Sequence, residues 1–290
     1  MSINDPQDPY VAVDGKNAVV VVQDGDYCEG NPAYVIFYLL KAFLGWLPVD
    51  TFLIDDLGNQ DDYEVALSGK TAFVGFEYAN DEVGAVLVFE QNQFGGWEKV
   101  EDPFVHDSAA SHEWFGYSVG IDGDLAFVGD RNNIYMFRRE RNGKWVEFDR
   151  IDGILGYHSI SGDGIAAQNR DEGHVQLYKN IPDLDEVLPI QDPIPTGFVM
   201  SMSLSNEYLA YWDEDEEDAF VYRQEEANQT FAFHQQLNIS GPRFNSLALD
   251  SDILVVGGIS STHIFTEQGG NWEETITLDQ RYADYALSGR

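Results

Sequence analysis

A strand, a two-residue turn and a second strand recur along this chain, and that repeat limits its fold more than any other feature. Ser118-Val119-Gly120-Ile121-Asp122-Gly123-Asp124-Leu125-Ala126-Phe127-Val128-Gly129 has counterparts running from Glu64 to Gly75 and from Ser246 to Gly257. The turn pairs are Asp14-Gly15, Ser68-Gly69, Asp122-Gly123, Ser161-Gly162, Ser205-Asn206, Asp250-Ser251 and Ser288-Gly289, spaced 38 to 54 residues apart. Pairs of this kind suit tight hairpins whose two central residues are expected to take positive φ, which Gly and Asn tolerate. Gly69, Gly123 and Gly162 are therefore read as structural.

Each unit continues with a third strand ending in an aromatic, at Phe37, Phe89, Phe137, Tyr178, Tyr222 and Phe265. Trp46, Trp97, Trp145 and Trp272 follow in four units, Phe231 in the fifth, and no aromatic in the fourth. Four short strands per unit cannot bury both sheet faces alone, whereas radial stacking can. The expectation is an all-β propeller forming one domain over 1–290, with Trp46, Trp97, Trp145 and Trp272 in the core between blades. The blades are placed at approximately 9–58, 59–108, 114–153, 154–194, 197–240 and 243–280, with the start of a seventh at 282–290.

Charge narrows the partners. Sixteen Lys and Arg face 51 Asp and Glu, a formal net charge of −35. Such a field repels phosphate backbones and anionic headgroups, so nucleic acid and direct membrane insertion are not expected. The 43% apolar content still supplies a core. Cys28 is the only cysteine, so no internal disulfide framework exists. The apolar stretch Tyr34 to Pro48 is too short for a membrane span and carries Lys41, so it reads as a hairpin. The first residues, Met1 to Asp5, lack the basic start and apolar core of a signal peptide.

Phe115-Gly116, Asp122-Gly123-Asp124 and Phe127-Val128-Gly129 resemble the FG-GAP repeat of integrin α-subunit propellers, and Phe73-Val74-Gly75 echoes it. The resemblance implies an extracellular or cell-surface protein that presents loops to a protein or glycan in adhesion. The family's calcium loops lie between the first two strands of a blade. A two-residue turn cannot wrap the oxygens Ca²⁺ needs, so this chain resembles a variant without them.

Candidate chemistry lies elsewhere. Asp213-Glu214-Asp215-Glu216-Glu217-Asp218 could hold Ca²⁺ through Asp213, Asp215 and Asp218, and Asp55-Asp56 with Asp61-Asp62 is a weaker cluster. His106 and His112 share a connection with Trp114, and with Trp212 they form the candidate binding set. His174 and His263 fall in third strands, where packing or a local hydrogen bond is expected. A phosphate loop and paired cysteines are absent. The favoured expectation is a non-enzymatic recognition module. The alternatives are a polysaccharide-acting hydrolase or lyase using carboxylates and His, and a structural scaffold.

Overall fold

A computed structural model describes residues 10–23, 32–55, 63–100, 114–154, 157–182, 184–225, 229–239, 244–258 and 261–278. The fold is a six-bladed β-propeller of antiparallel, four-stranded blades. The first blade contains β1 (Tyr10–Asp14), β2 (Asn17–Gln23), β3 (Ala33–Lys41) and β4 (Gly45–Ile54). The second has β5 (Tyr63–Ser68), β6 (Thr71–Phe76), the one-turn helix α1 (Ala79–Glu82), β7 (Ala85–Gln91) and β8 (Trp97–Lys99). The third has β9 (Ser118–Asp122), β10 (Leu125–Gly129), β11 (Asn133–Arg139) and β12 (Trp145–Asp152). The fourth has β13 (His158–Ser161), β14 (Gly164–Asn169), β15 (His174–Ile181) and β16 (Glu186–Pro189), with β17 (Ile194–Pro195) also pairing β15. The fifth has β18 (Val199–Leu204), β19 (Tyr208–Asp213), β20 (Asp218–Gln224) and β21 (Phe231–Gln236). The sixth has β22 (Phe244–Asp250), β23 (Ile253–Gly258), β24 (Thr262–Gln268) and β25 (Asn271–Leu278). The proposed start of a seventh, 282–290, lies outside the described residues.

The chain divides into two compact units, the boundary falling between Lys144 and Trp145. Core burial follows strand position. Every residue of β6, β10 and β19 is buried, as a sheet covered on both faces requires. In the first unit, Phe37, Phe89 and Trp97 pack together, with Phe37 stacked 4.2 Å from Trp97. In the second, Trp212 and Trp272 are buried in a cluster with Leu254 and Phe265. The recurrent Trp position is thus not uniform. Trp97 and Trp272 are buried, Trp145 is half-buried, and Trp46 is exposed because it stands beside the tip of the long β3–β4 hairpin.

The hairpin turns sit one residue later than the sequence suggests. Asp14 pairs with Asn17 and Ser68 with Thr71, so the loops are Gly15-Lys16 and Gly69-Lys70. Only the first loop residue takes positive φ: 57° at Gly15 and Gly69, 60° at Gly123, and 51° at Ser251. This is the demand of a turn with Gly at its first central position.

Displacing the turn frees the residue before it for another task. The side chain of Asp14 accepts the Gly69 N–H, and Ser68 Oγ accepts the Gly123 N–H at 3.0 Å. Each bond joins a turn to the turn of the next blade. A related ladder serves the first-strand edges in the second unit. Ser159 Oγ accepts from Leu204 N at 2.9 Å, Ser201 Oγ from Leu247 N at 3.0 Å, and Ser203 Oγ from Leu249 N at 3.1 Å. Fourth strands are tied the same way. Asp50 accepts from Trp97 N at 2.8 Å, Asp149 from Val187 N at 2.6 Å, and Gln235 from Trp272 N at 2.8 Å. Val187 fills, in the fourth blade, the position where the sequence offers no aromatic.

Ser201→Ala with Ser203→Ala leaves the N–H groups of Leu247 and Leu249 without acceptors at buried residues. The double variant is expected to lose about 2–4 kcal/mol of stability, seen as a lower denaturant midpoint at unchanged slope. Acid should act through His158. Burial holds its imidazole down at about 3, against 6.5 in an open chain. Between those values the unfolded chain binds the extra proton. Stability is therefore lost as pH falls from 6.5 toward 3, by up to ~1.4 kcal/mol per unit, and His158→Gln should flatten that slope in urea titrations.

Candidate functional site

The sixth blade brings a hydroxyl, an imidazole and a carboxylate into one hydrogen-bonded line. Ser261 lies in the connection between β23 and β24, where its carbonyl accepts from Gly258 N at 2.9 Å. Two residues on, His263 points from β24, and its Nε2 is 3.0 Å from Ser261 Oγ. The other ring nitrogen, Nδ1, is 2.9 Å from Glu274 Oε1 on β25.

The meeting of His263 and Glu274 depends on a β-bulge. His263 pairs with Thr277 and Ile264 with Ile276, but Phe265 pairs with Glu274, leaving Thr275 as the extra residue. Side chains alternate along a strand, so an unbroken register would put Thr275 on the His263 face and turn Glu274 away. The bulge re-aims the carboxylate. Thr275 Oγ1 instead donates to Ile264 O at 3.0 Å.

Electrostatics suit a relay. Thr277 Oγ1 donates a hydrogen bond to Glu274, and this bond, helped by His263 and opposed by partial burial, holds the carboxyl below its usual range. The imidazole is largely buried, while 42% of the Glu274 side chain is exposed. An ionised carboxylate fixes the ring orientation and leaves Nε2 facing a hydroxyl. Both spacings lie within the reach that defines a nucleophile, its base and an orienting acid. Such triads are recognised by geometry and not by chain order.

The residues singled out from sequence have other settings. His106 and His112 lie outside the described residues, as do Asp56, Asp61 and Asp62. Trp114 has positive φ (54°), sits edge-on to Tyr78 at 5.6 Å and carries the Arg131 guanidinium 4.9 Å above its ring. Trp212, read from sequence as part of the binding set, is buried in the core because β19 is covered on both faces.

The acidic run is tied to backbone. Asp213 accepts from Gly197 N at 2.7 Å and Asp215 from Phe198 N at 2.9 Å. A side chain at Gly197 would place its Cβ 2.5 Å from Asp213 Oδ1, so it would have to push the carboxylates of this clasp aside. Asp218, buried, accepts from Ala219, Asn238 and Ile239 at 2.8–3.0 Å. Among the described residues, no group of three or more His, Cys, Asp or Glu is placed to hold a metal ion. Nor does any described helix have the length and apolarity to cross a membrane.

No protein-family model matches the chain, and no curated protein matches it. Solved structures do. The periplasmic gluconolactonase PpgL of Pseudomonas aeruginosa superposes with a TM-score of 0.70 at 15% identity, covering 94% of this chain and 85% of that one. A candidate 6-phosphogluconolactonase of Bacteroides fragilis gives 0.70 at 14% identity, covering 97% and 86%. A Lactobacillus plantarum protein gives 0.71 at 13% identity, covering 97% and 87%. These identities carry the fold.

They correct the FG-GAP reading, and with it the integrin-like adhesion module, since the neighbours named for an activity are lactonases. The misleading residues have a packing cause. Gly116 takes φ 98° and lies so close to the second blade that a Cβ on Gly75 would meet the Gly116 carbonyl oxygen at 2.1 Å. Glycines of a Phe-Val-Gly strand and a Phe-Gly entry are thus demanded by backbone contact, whatever the family.

The relay escaped the sequence reading because its members stand two and eleven residues apart with no elbow motif, and the bulge has no sequence signature. The one available signal was a His close after a Ser in a third-strand entry. Thr277→Val removes the donor that most depresses Glu274. Its carboxyl is expected to titrate at higher pH than in the parent, measured by ¹³C NMR.

Proposed function

We propose that this chain is a hydrolase that opens an ester or lactone of a sugar-derived acid, with Ser261 as nucleophile, His263 as general base and Glu274 as the orienting carboxylate. The observation that carries this reading is the unbroken line Ser261–His263–Glu274. The names of the structural neighbours, gluconolactonase and 6-phosphogluconolactonase, support a lactone over other esters.

The chemistry follows from the geometry. His263 Nε2 takes the Ser261 proton as Oγ bonds to the lactone carbonyl carbon, and Glu274 stabilises the imidazolium through Nδ1–H. Collapse of the tetrahedral adduct breaks the ring C–O bond, and the leaving alkoxide takes the proton from His263. The opened chain is then an ester on Ser261. Water attacks it, giving its proton to His263, and the hydroxy acid leaves as the proton returns to Ser261. Net, one water is added and the ring is opened.

Charge selects among lactones. At −35 the protein repels anions, so the field favours a neutral lactone over a phosphorylated one and helps expel the carboxylate product. An address outside the cytoplasm, as the name of the Pseudomonas neighbour gives for that protein, accords with this reading.

Hydrolysis of glucono-δ-lactone, followed by proton release above the spontaneous rate, tests it. Ser261→Ala and His263→Ala should each lower kcat by about 10³-fold or more, with Glu274→Gln falling between them and the parent. A parent no faster than buffer, or a Ser261→Ala variant with full activity, refutes it. The phosphorylated lactone should show the lower kcat/KM, with the gap narrowing as salt screens the field.

A further inference from the structure

A polar cleft opens at the other end of the strands from Ser261, between the fourth and fifth blades and wholly within the second unit. It measures about 170 Å³. A volume of that size admits a small ring compound, well beyond a single water. One wall comes from the β13–β14 turn and β15, the other from the β18–β19 turn and the residues around the start of β21.

Its polar groups are arranged in compensated pairs. Lys179 Nζ donates to Gln229 Oε1 at 2.8 Å and lies 3.3 Å from Asp163 Oδ2, so the cation is already balanced. Gln229 holds a left-handed backbone (φ 58°), closed by its N–H on Glu225 O at 2.9 Å, and that conformation accompanies its amide's contact with Lys179. Asn206 stands opposite at the turn. A Cβ on Gly162 would lie 3.0 Å from Asn206 Oδ1, so the glycine makes room for that amide. Behind these groups the lining turns apolar, with Leu177, Leu204 and Phe231.

We propose that this cleft binds a neutral polyhydroxylated ligand of monosaccharide size. Each hydroxyl of a sugar both donates and accepts, which matches a wall mixing an ammonium, a carboxylate and amides. The sugar's C–H face suits the apolar floor. Free anions are disfavoured, because Asp163 neutralises Lys179 and the whole molecule is strongly negative. The site is separate from the hydrolytic relay and does not depend on it.

The intact protein titrated with D-glucose, and with gluconate for comparison, decides the matter by calorimetry and amide NMR. Glucose is expected to saturate in the millimolar range and to shift the Asn206 and Gln229 amides. Asn206→Ala and Lys179→Met should each weaken binding about tenfold, the scale of one lost hydrogen bond. Ser261→Ala should bind as the parent does, which separates this site from the hydrolase reading. Asn206 is an exposed turn residue, so its variant reports on binding even if Lys179→Met does not fold. Absence of saturation, tighter binding of gluconate, or shifts gathered around Ser261 instead of the cleft would overturn the proposal.

Discussion

Unpaired backbone at the edges of each blade is the constraint on which the structure rests. A four-stranded sheet has two edge strands, and each presents N–H groups that cost free energy if buried without acceptors. Here polar side chains of the preceding blade meet them. Ser201 and Ser203 serve the first strand of the sixth blade, and Gln235 serves its fourth, accepting from Trp272 N while donating to Trp272 O. Gln191 does the same for Phe231 in the fifth blade. The apolar faces can then pack because the edges beside them are already satisfied.

This stitching also explains the composition of the repeat. Serine or aspartate before the turn looks like turn chemistry, yet the loop proper begins one residue later, and the side chains of Asp14 and Ser68 bond to the neighbouring turn. Small residues in first strands are hydrogen-bond acceptors as much as they are packing concessions. Acidic residues serve similar ends. Asp213, Asp215 and Asp218, which in sequence suggest a cation loop, hold Gly197, Phe198, Asn238 and Ile239 by their N–H groups.

The line of Ser261, His263 and Glu274 uses the same strand architecture for another purpose. Two strands and a connection place Ser261, His263 and Glu274, and a single extra residue in β25 decides that the carboxylate meets the ring. Thr277, paired with His263, donates to that carboxylate and keeps it ionised. A local irregularity in a regular sheet thus supplies the geometry, as expected of sites on repeat scaffolds where function resides in departures from the repeat.

The amino-acid sequence by itself determined the fold class, the strand order within each unit and the burial of the second strands, because these follow from local periodicity and turn chemistry. Phe127-Val128-Gly129 reads as a covered strand in isolation and is one. Only the tertiary structure decided which polar residues do what. Ser261 and Glu274 are ordinary among the many serines and carboxylates of this chain. Their meaning arises from a bulge and from cross-strand distances of about 3 Å, which no linear spacing encodes. The FG-GAP likeness failed for the same reason: Gly75 and Gly116 answer a backbone approach between blades, a three-dimensional demand that different propellers meet with the same residue.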